Sequence, residues 1–106
     1  MSAREAAPVF AALGDETRLS LVALLSRNGP LTVKRLTAST RVTRQAVSKH
    51  LHVMEQAGLV RGRRAGRTRL WQLELPRLTE ARRQIEEISD EWDQALLRLQ
   101  KAVEDP

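Results

Sequence analysis

The sequence predicts a small, mostly α-helical domain with one β-hairpin, in the order α-α-α-α-β-β-α. Three observations carry this. Apolar residues recur at helical spacing through the first half of the chain, and capping and stopping residues divide them into four segments. Strict alternation in Arg69-Leu70-Trp71-Gln72-Leu73-Glu74-Leu75 marks a half-buried strand. Beyond it, apolar residues at steps of three and four run almost to the end of the chain. With 106 residues there is room for one domain, residues 1–106.

The first helix is expected from Arg4 to Leu13, ending at Gly14. Asp15 then caps a second helix, and Glu16 stands in its first turn, where the helix dipole favours an acid. Leu19, Leu21, Val22, Leu24 and Leu25 give that helix apolar residues on much of its circumference, and Asn28-Gly29-Pro30 stops it. Thr32 caps a short third helix, Val33 to Ser39. Thr43 caps a fourth, Arg44 to Ala57, closed by Gly58. Two helices joined by so short a turn, the second polar at its start, make a helix-turn-helix pattern.

Strands are expected over Leu59–Arg64 and Arg67–Leu75, with Ala65-Gly66 between them and Gly66 supplying a positive φ for the turn. Pro76 ends the second strand and opens the last helix, Arg77 to Val103. On that helix Leu78, Ala81, Ile85, Ile88, Trp92, Ala95, Leu99 and Ala102 form a heptad seam, widened by Leu96 and Val103. A seam of this kind calls for a second helix against it, so residues 77–103 are expected to join two copies of the chain.

The chain carries a net charge of +5, and its distribution says more than the total. Between Lys34 and Arg69 there are ten Lys or Arg against one acid, Glu55, and eight of the ten are Arg. Outside that stretch acids outnumber bases. Arginine suits phosphate and guanine through its planar fork of donors. On the fourth helix Val47, Leu51 and Met54 should face the core. Arg44, Gln45, Ser48 and His52 then share another face, flanked by Lys49 and Glu55. Arg pairs with guanine and Gln with adenine on the major-groove edge of duplex DNA. The Thr43 hydroxyl can reach a phosphate as well as cap the helix. The hairpin adds Arg61, Arg63, Arg64, Arg67 and Arg69 within nine residues. Like charges this dense repel one another, and a partner backbone or a minor groove explains them better than a generic surface does.

Three runs make a resemblance specific: FAALGDETRLSLVALL from Phe10 to Leu25, TRQAVSKHLHVMEQAGLV from Thr43 to Val60, and GRTRLWQL from Gly66 to Leu73. Together with the element order they resemble the winged helix-turn-helix regulators of the ArsR/SmtB type. The resemblance implies a homodimer joined through the first and last helices, with the fourth helix in the major groove. On this reading the DNA-binding residues are Arg41, Thr43, Arg44, Gln45, Ser48, Lys49, His52, Arg61, Arg63, Arg64, Arg67 and Arg69. The dimer interface comprises Phe10, Leu78, Ile85, Ile88, Trp92, Leu96 and Leu99. Arg41 departs from the small residue such turns often carry, and offers one more phosphate contact.

Many members of that family sense metals, and this sequence argues against it here. There is no cysteine, and the third helix carries Lys34-Arg35 where thiolates would be needed. The last helix has Asp90 and Asp93 but no His. The two histidines, His50 and His52, stand about 200° apart on their helix and cannot chelate one ion. No cofactor or metal is therefore expected, and a small-molecule effector stays open. Trp71 is expected to pack the wing on the core. Trp92 is expected to pack in the dimer seam, with one wall of a small-molecule pocket as the other reading. The sequence holds no phosphate loop and no base paired with Ser20, Ser26 or Ser48, so an enzyme is not expected. Met1–Pro8 lacks the apolar run of a signal peptide, and with no cysteine the expected location is the cytoplasm. The expectation is a DNA-binding repressor; the competing class is a winged-helix module that binds protein or RNA.

Overall fold

A computed structural model describes residues 1–104; residues 105–106 of the expected domain lie outside them. The elements are α1 (Ala3–Leu13), α2 (Glu16–Asn28), α3 (Val33–Ala38), α4 (Arg44–Gln56), β1 (Val60–Ala65), β2 (Thr68–Leu73) and α5 (Leu75–Glu104). The order is the expected one, and each of the first four helices starts behind a side-chain cap. Ser2, Asp15, Thr32 and Thr43 each accept a hydrogen bond from the backbone N–H three residues on.

Most boundaries fall within a residue or two of expectation, and the differences that matter are at the hairpin turn and at the junction of β2 with α5. The hairpin turn is Gly66-Arg67, one residue later than Ala65-Gly66, because Ala65 pairs with Thr68. Gly66 sits at φ 65° and Arg67 has no positive φ, the pattern of a type II′ turn. The second strand stops at Leu73, two residues early. The Glu74 N–H still bonds the Leu59 carbonyl at 2.8 Å, but the Glu74 carbonyl already accepts from Arg77 at 3.1 Å. Pro76 therefore lies inside the first turn of α5, where its missing N–H costs nothing.

The core gathers one face of each element: Val9 and Ala12 from α1, Leu21 and Leu25 from α2, Leu36 from α3, Val47, Leu51 and Met54 from α4, with Trp71 and Ala81 behind them. Trp71 joins the hairpin to the body as expected. It is buried, and its backbone exchanges two hydrogen bonds with Leu31, at 3.0 and 2.8 Å. Burying these side chains at roughly 25 cal/mol per Å² supplies most of the driving force for the fold.

The C-terminus of α4 closes in a Schellman motif. Gly58 takes φ 80°, its N–H bonds the Glu55 carbonyl at 3.0 Å, and the Leu59 N–H bonds Met54 at 2.9 Å. Leu59 and Met54 are both fully buried, so the chain leaves α4 in a fixed direction toward β1. Only the start of α5 packs on this body. Leu78 is half-buried and Ala81 buried, and Gln84 donates to the Met1 carbonyl at 3.3 Å. Beyond Gln84 every described residue of α5 is exposed except the half-buried Ala95.

Candidate nucleic-acid interface

Helix α4 is held from two sides, which leaves a defined polar face outward. Val47, Leu51 and Met54 have no solvent exposure, as their spacing requires. On its α2 side, His50 accepts at Nδ1 from Arg18 Nη1 at 3.3 Å, and stands 4.0 Å from Asp15. Arg18 also donates through Nε to the Ala12 carbonyl at 2.7 Å, so one guanidinium ties α1, α2 and α4. His50 is thus a structural contact between helices. Asp15 accepts from the Arg18 N–H at 2.9 Å. That bond, opposed by desolvation and helped by the Arg18 charge, holds its carboxyl below the ordinary 3.8.

With that face fixed, Arg44, Gln45, Ser48 and Lys49 line one shallow depression on the surface. Thr43 and His52 are exposed beside them. The Thr43 oxygen accepts from the Ala46 N–H at 3.1 Å, which leaves its own O–H free to donate. Arg44 also belongs to a second cleft, lined by Thr32, Val33, Lys34, Arg67, Thr68 and Arg69. The start of α3, the start of α4 and the wing therefore meet around one basic hollow. Lys34 and Thr68 were missed as site residues. Lys34 stands inside the basic stretch, but only the fold brings it opposite Arg67. Arg41 is exposed and opens onto a separate hollow with Glu16, Thr17 and Ser20. No residue in its turn has a positive φ, so a long side chain fits there without strain.

The wing arginines fall into two groups. Arg61 Nε lies 3.1 Å from Glu74, Arg63 Nε donates to Gln72 at 3.0 Å, and Arg69 Nη2 lies 3.6 Å from Glu55. Arg64 and Arg67, nearest the turn, make no ion pair among the described residues. The repulsion expected of five like charges is thus relieved in part by carboxylates that the fold brings in from α4 and the α5 junction.

The residues expected at a dimer interface are also divided. Phe10 and Leu78 rest half-buried on the chain's own core. Ile85, Ile88, Trp92, Leu96 and Leu99 are between 44% and 63% exposed. Among the described residues no three His, Cys, Asp or Glu side chains converge as metal ligands. No helix among them is long and apolar enough to cross a membrane.

Two helices joined by a tight turn, the second presenting Arg, Gln, Ser and Lys, with a basic hairpin beside it, define a winged helix-turn-helix DNA-binding domain. A family model described as a helix-turn-helix domain matches residues 13–63. The chain is 40% identical over 85 residues to the HTH-type transcriptional regulator Rv2034 of Mycobacterium tuberculosis, covering 80% of this chain and 76% of that one. It is 31% identical over 87 residues to the arsenic resistance transcriptional regulator ArsR1 of Pseudomonas putida, covering 79% and 68%. The solved ArsR-like transcriptional regulator from Rhodococcus sp. RHA1 superposes with a TM-score of 0.82 at 35% identity, over 94% of this chain and 92% of that one. The chain belongs to the ArsR/SmtB family of transcriptional regulators.

Proposed function

We propose that this regulator binds a pseudo-palindromic double-stranded DNA operator as a homodimer and represses transcription. It does so in the cytoplasm, with residues 1–106 acting as one domain, without catalysis and without the metal sites of its metal-sensing relatives. The observation that carries the DNA reading is the continuous exposed surface that runs from Gln45 and Ser48, through Arg44, to Lys34 and Arg67. In this reading Gln45, Arg44 and Ser48 meet base edges, with His52 at the end of the same face. Arg41, Thr43, Lys49, Arg64 and Arg67 meet phosphates, joined by Lys34, while Arg61, Arg63 and Arg69 lie along the wing. The exposed stripe Ile85, Ile88, Trp92, Leu96 and Leu99 supports dimerisation, and Phe10 and Leu78 border it. A two-fold dimer reads half-sites about one helical turn apart.

Gel shifts across a salt series, on the promoter region of its own gene and on a random-sequence duplex, test this. Each phosphate neutralised should contribute about −0.9 to the slope of log affinity against log salt. Arg67→Ala should weaken binding to both duplexes alike and flatten the slope by about one phosphate. Gln45→Ala should narrow the gap between the two duplexes instead, by about 1–3 kcal/mol of discrimination. Weak binding with no salt dependence would defeat the reading and return the chain to a module that binds protein or RNA.

A further inference from the structure

Arg69 stands in the densest part of the basic wing, yet its surroundings differ from those of Arg64 and Arg67. In the hairpin register Gly62 pairs with Trp71 and Arg64 with Arg69, so all four share the face that carries the buried Trp71. The Arg69 guanidinium carbon lies 4.7 Å from the centre of the Trp71 ring. Its Nη2 reaches Glu55 of α4 at 3.6 Å. It crosses directly over Gly62, and a Cβ at that position would collide with Arg69 Nε and Nη2 and push the guanidinium out of this placement. Glu55 is the one acid in the basic stretch between Lys34 and Arg69. It lies in the last turn of α4, inside the Schellman motif, whose bond from Gly58 ends on the Glu55 carbonyl.

Resting on the DNA-binding reading above, we infer that Arg69 is a positioning residue: with Glu55, Trp71 and Gly62 it forms a latch that sets the wing against α4, and it is not a phosphate contact. The stack on Trp71 holds the guanidinium flat, the missing side chain at Gly62 leaves it a channel, and Glu55 takes its charge. Wing and recognition helix must contact one DNA duplex at the same time. Their relative orientation therefore decides whether Arg67 and Arg64 reach phosphates while Gln45 meets a base. Isolated, a carboxylate beside DNA would only repel it. As half of the latch, Glu55 favours binding through geometry, and the two roles predict opposite signs.

The test measures affinity and salt slope for a duplex selected by the wild-type protein from a random-sequence pool. Glu55→Gln should weaken binding by up to about fivefold, the range an exposed ion pair supports, with the slope unchanged. Arg69→Ala should do the same without losing a phosphate's share of the slope, and the double variant should be no worse than either single one. The penalty of Arg67→Ala should shrink in the Glu55→Gln background, although residues 55 and 67 share no ion pair. Unchanged urea midpoints separate this coupling from loss of fold, and Glu55→Asp should restore part of the affinity. Tighter binding by Glu55→Gln, or a slope reduced by about 0.9 in Arg69→Ala, would overturn the latch. Wild-type protein that selects no duplex would instead defeat the DNA-binding reading itself.

Discussion

Arg18 touches three helices at once, and this decides how the residues near it behave. Its bonds to the Ala12 carbonyl and to His50 leave Asp15 as both the cap of α2 and the counter-charge of the cluster. Because the folded carboxyl is held below 3.8, the charged form of Asp15 stabilises the fold above that value. The contribution fades as pH falls through the depressed value. Asp15→Asn keeps a capping oxygen but no charge, so it should be less stable than wild type near pH 7. The two urea midpoints should converge once pH has fallen through that depressed value. A difference that is constant with pH would mean that the cap alone matters. At this scale the apolar residues were legible: Val47, Leu51 and Met54 follow from spacing. Partners of polar residues were not. Nothing in the order of residues places His50 beside Arg18, thirty-two positions away, or Arg69 beside Glu55. Those pairings exist only after helices have packed.

At the scale of elements, helix starts were the most legible feature, because Asp15, Thr32 and Thr43 each cap by a local mechanism that needs no tertiary context. The hairpin was legible in kind and shifted by one residue, since alternation fixes faces but not which pair closes the turn. The end of β2 was missed because Leu75 continues the alternation, while the Glu74 carbonyl has already turned to cap α5. Thr43 tests whether a cap can also serve DNA. Thr43→Ala should cost about 1 kcal/mol of stability and weaken DNA binding. Thr43→Ser should restore both. Thr43→Asp keeps the cap and favours the helix dipole, so stability should recover while a negative charge at the interface still impairs binding. Recovery of both stability and binding in Thr43→Asp would show that the hydroxyl meets no phosphate. Urea midpoints and gel shifts on the same preparations read the two effects separately.

The whole molecule is too long for its mass. Its radius of gyration is 18.4 Å, against about 13 Å for a compact chain of this size, and its longest extent is 69 Å. The excess is α5, about 45 Å of helix of which only the first turns pack on the body. The heptad seam was legible from spacing, but its division was not. Leu78 and Ala81 serve the chain's own core, and the exposed stripe begins only at Ile85. A lone chain would leave Ile85, Ile88, Trp92, Leu96 and Leu99 in water, and a second copy laid along the stripe removes them from it. Ile88 is 62% exposed and touches nothing in the core, so Ile88→Asp should fold normally while burying a charge wherever a partner helix lies. We expect that variant to sediment as a monomer, with a melting temperature independent of protein concentration, whereas the wild-type value should rise with it. A monomer holds one half-site, and losing the second contact should lower operator affinity by about a hundredfold or more. Binding to random duplex should fall far less, since single domains still meet phosphates. An Ile88→Asp protein that sediments as a dimer would place the interface elsewhere, and a monomer with undiminished operator affinity would remove the two-fold reading of the DNA.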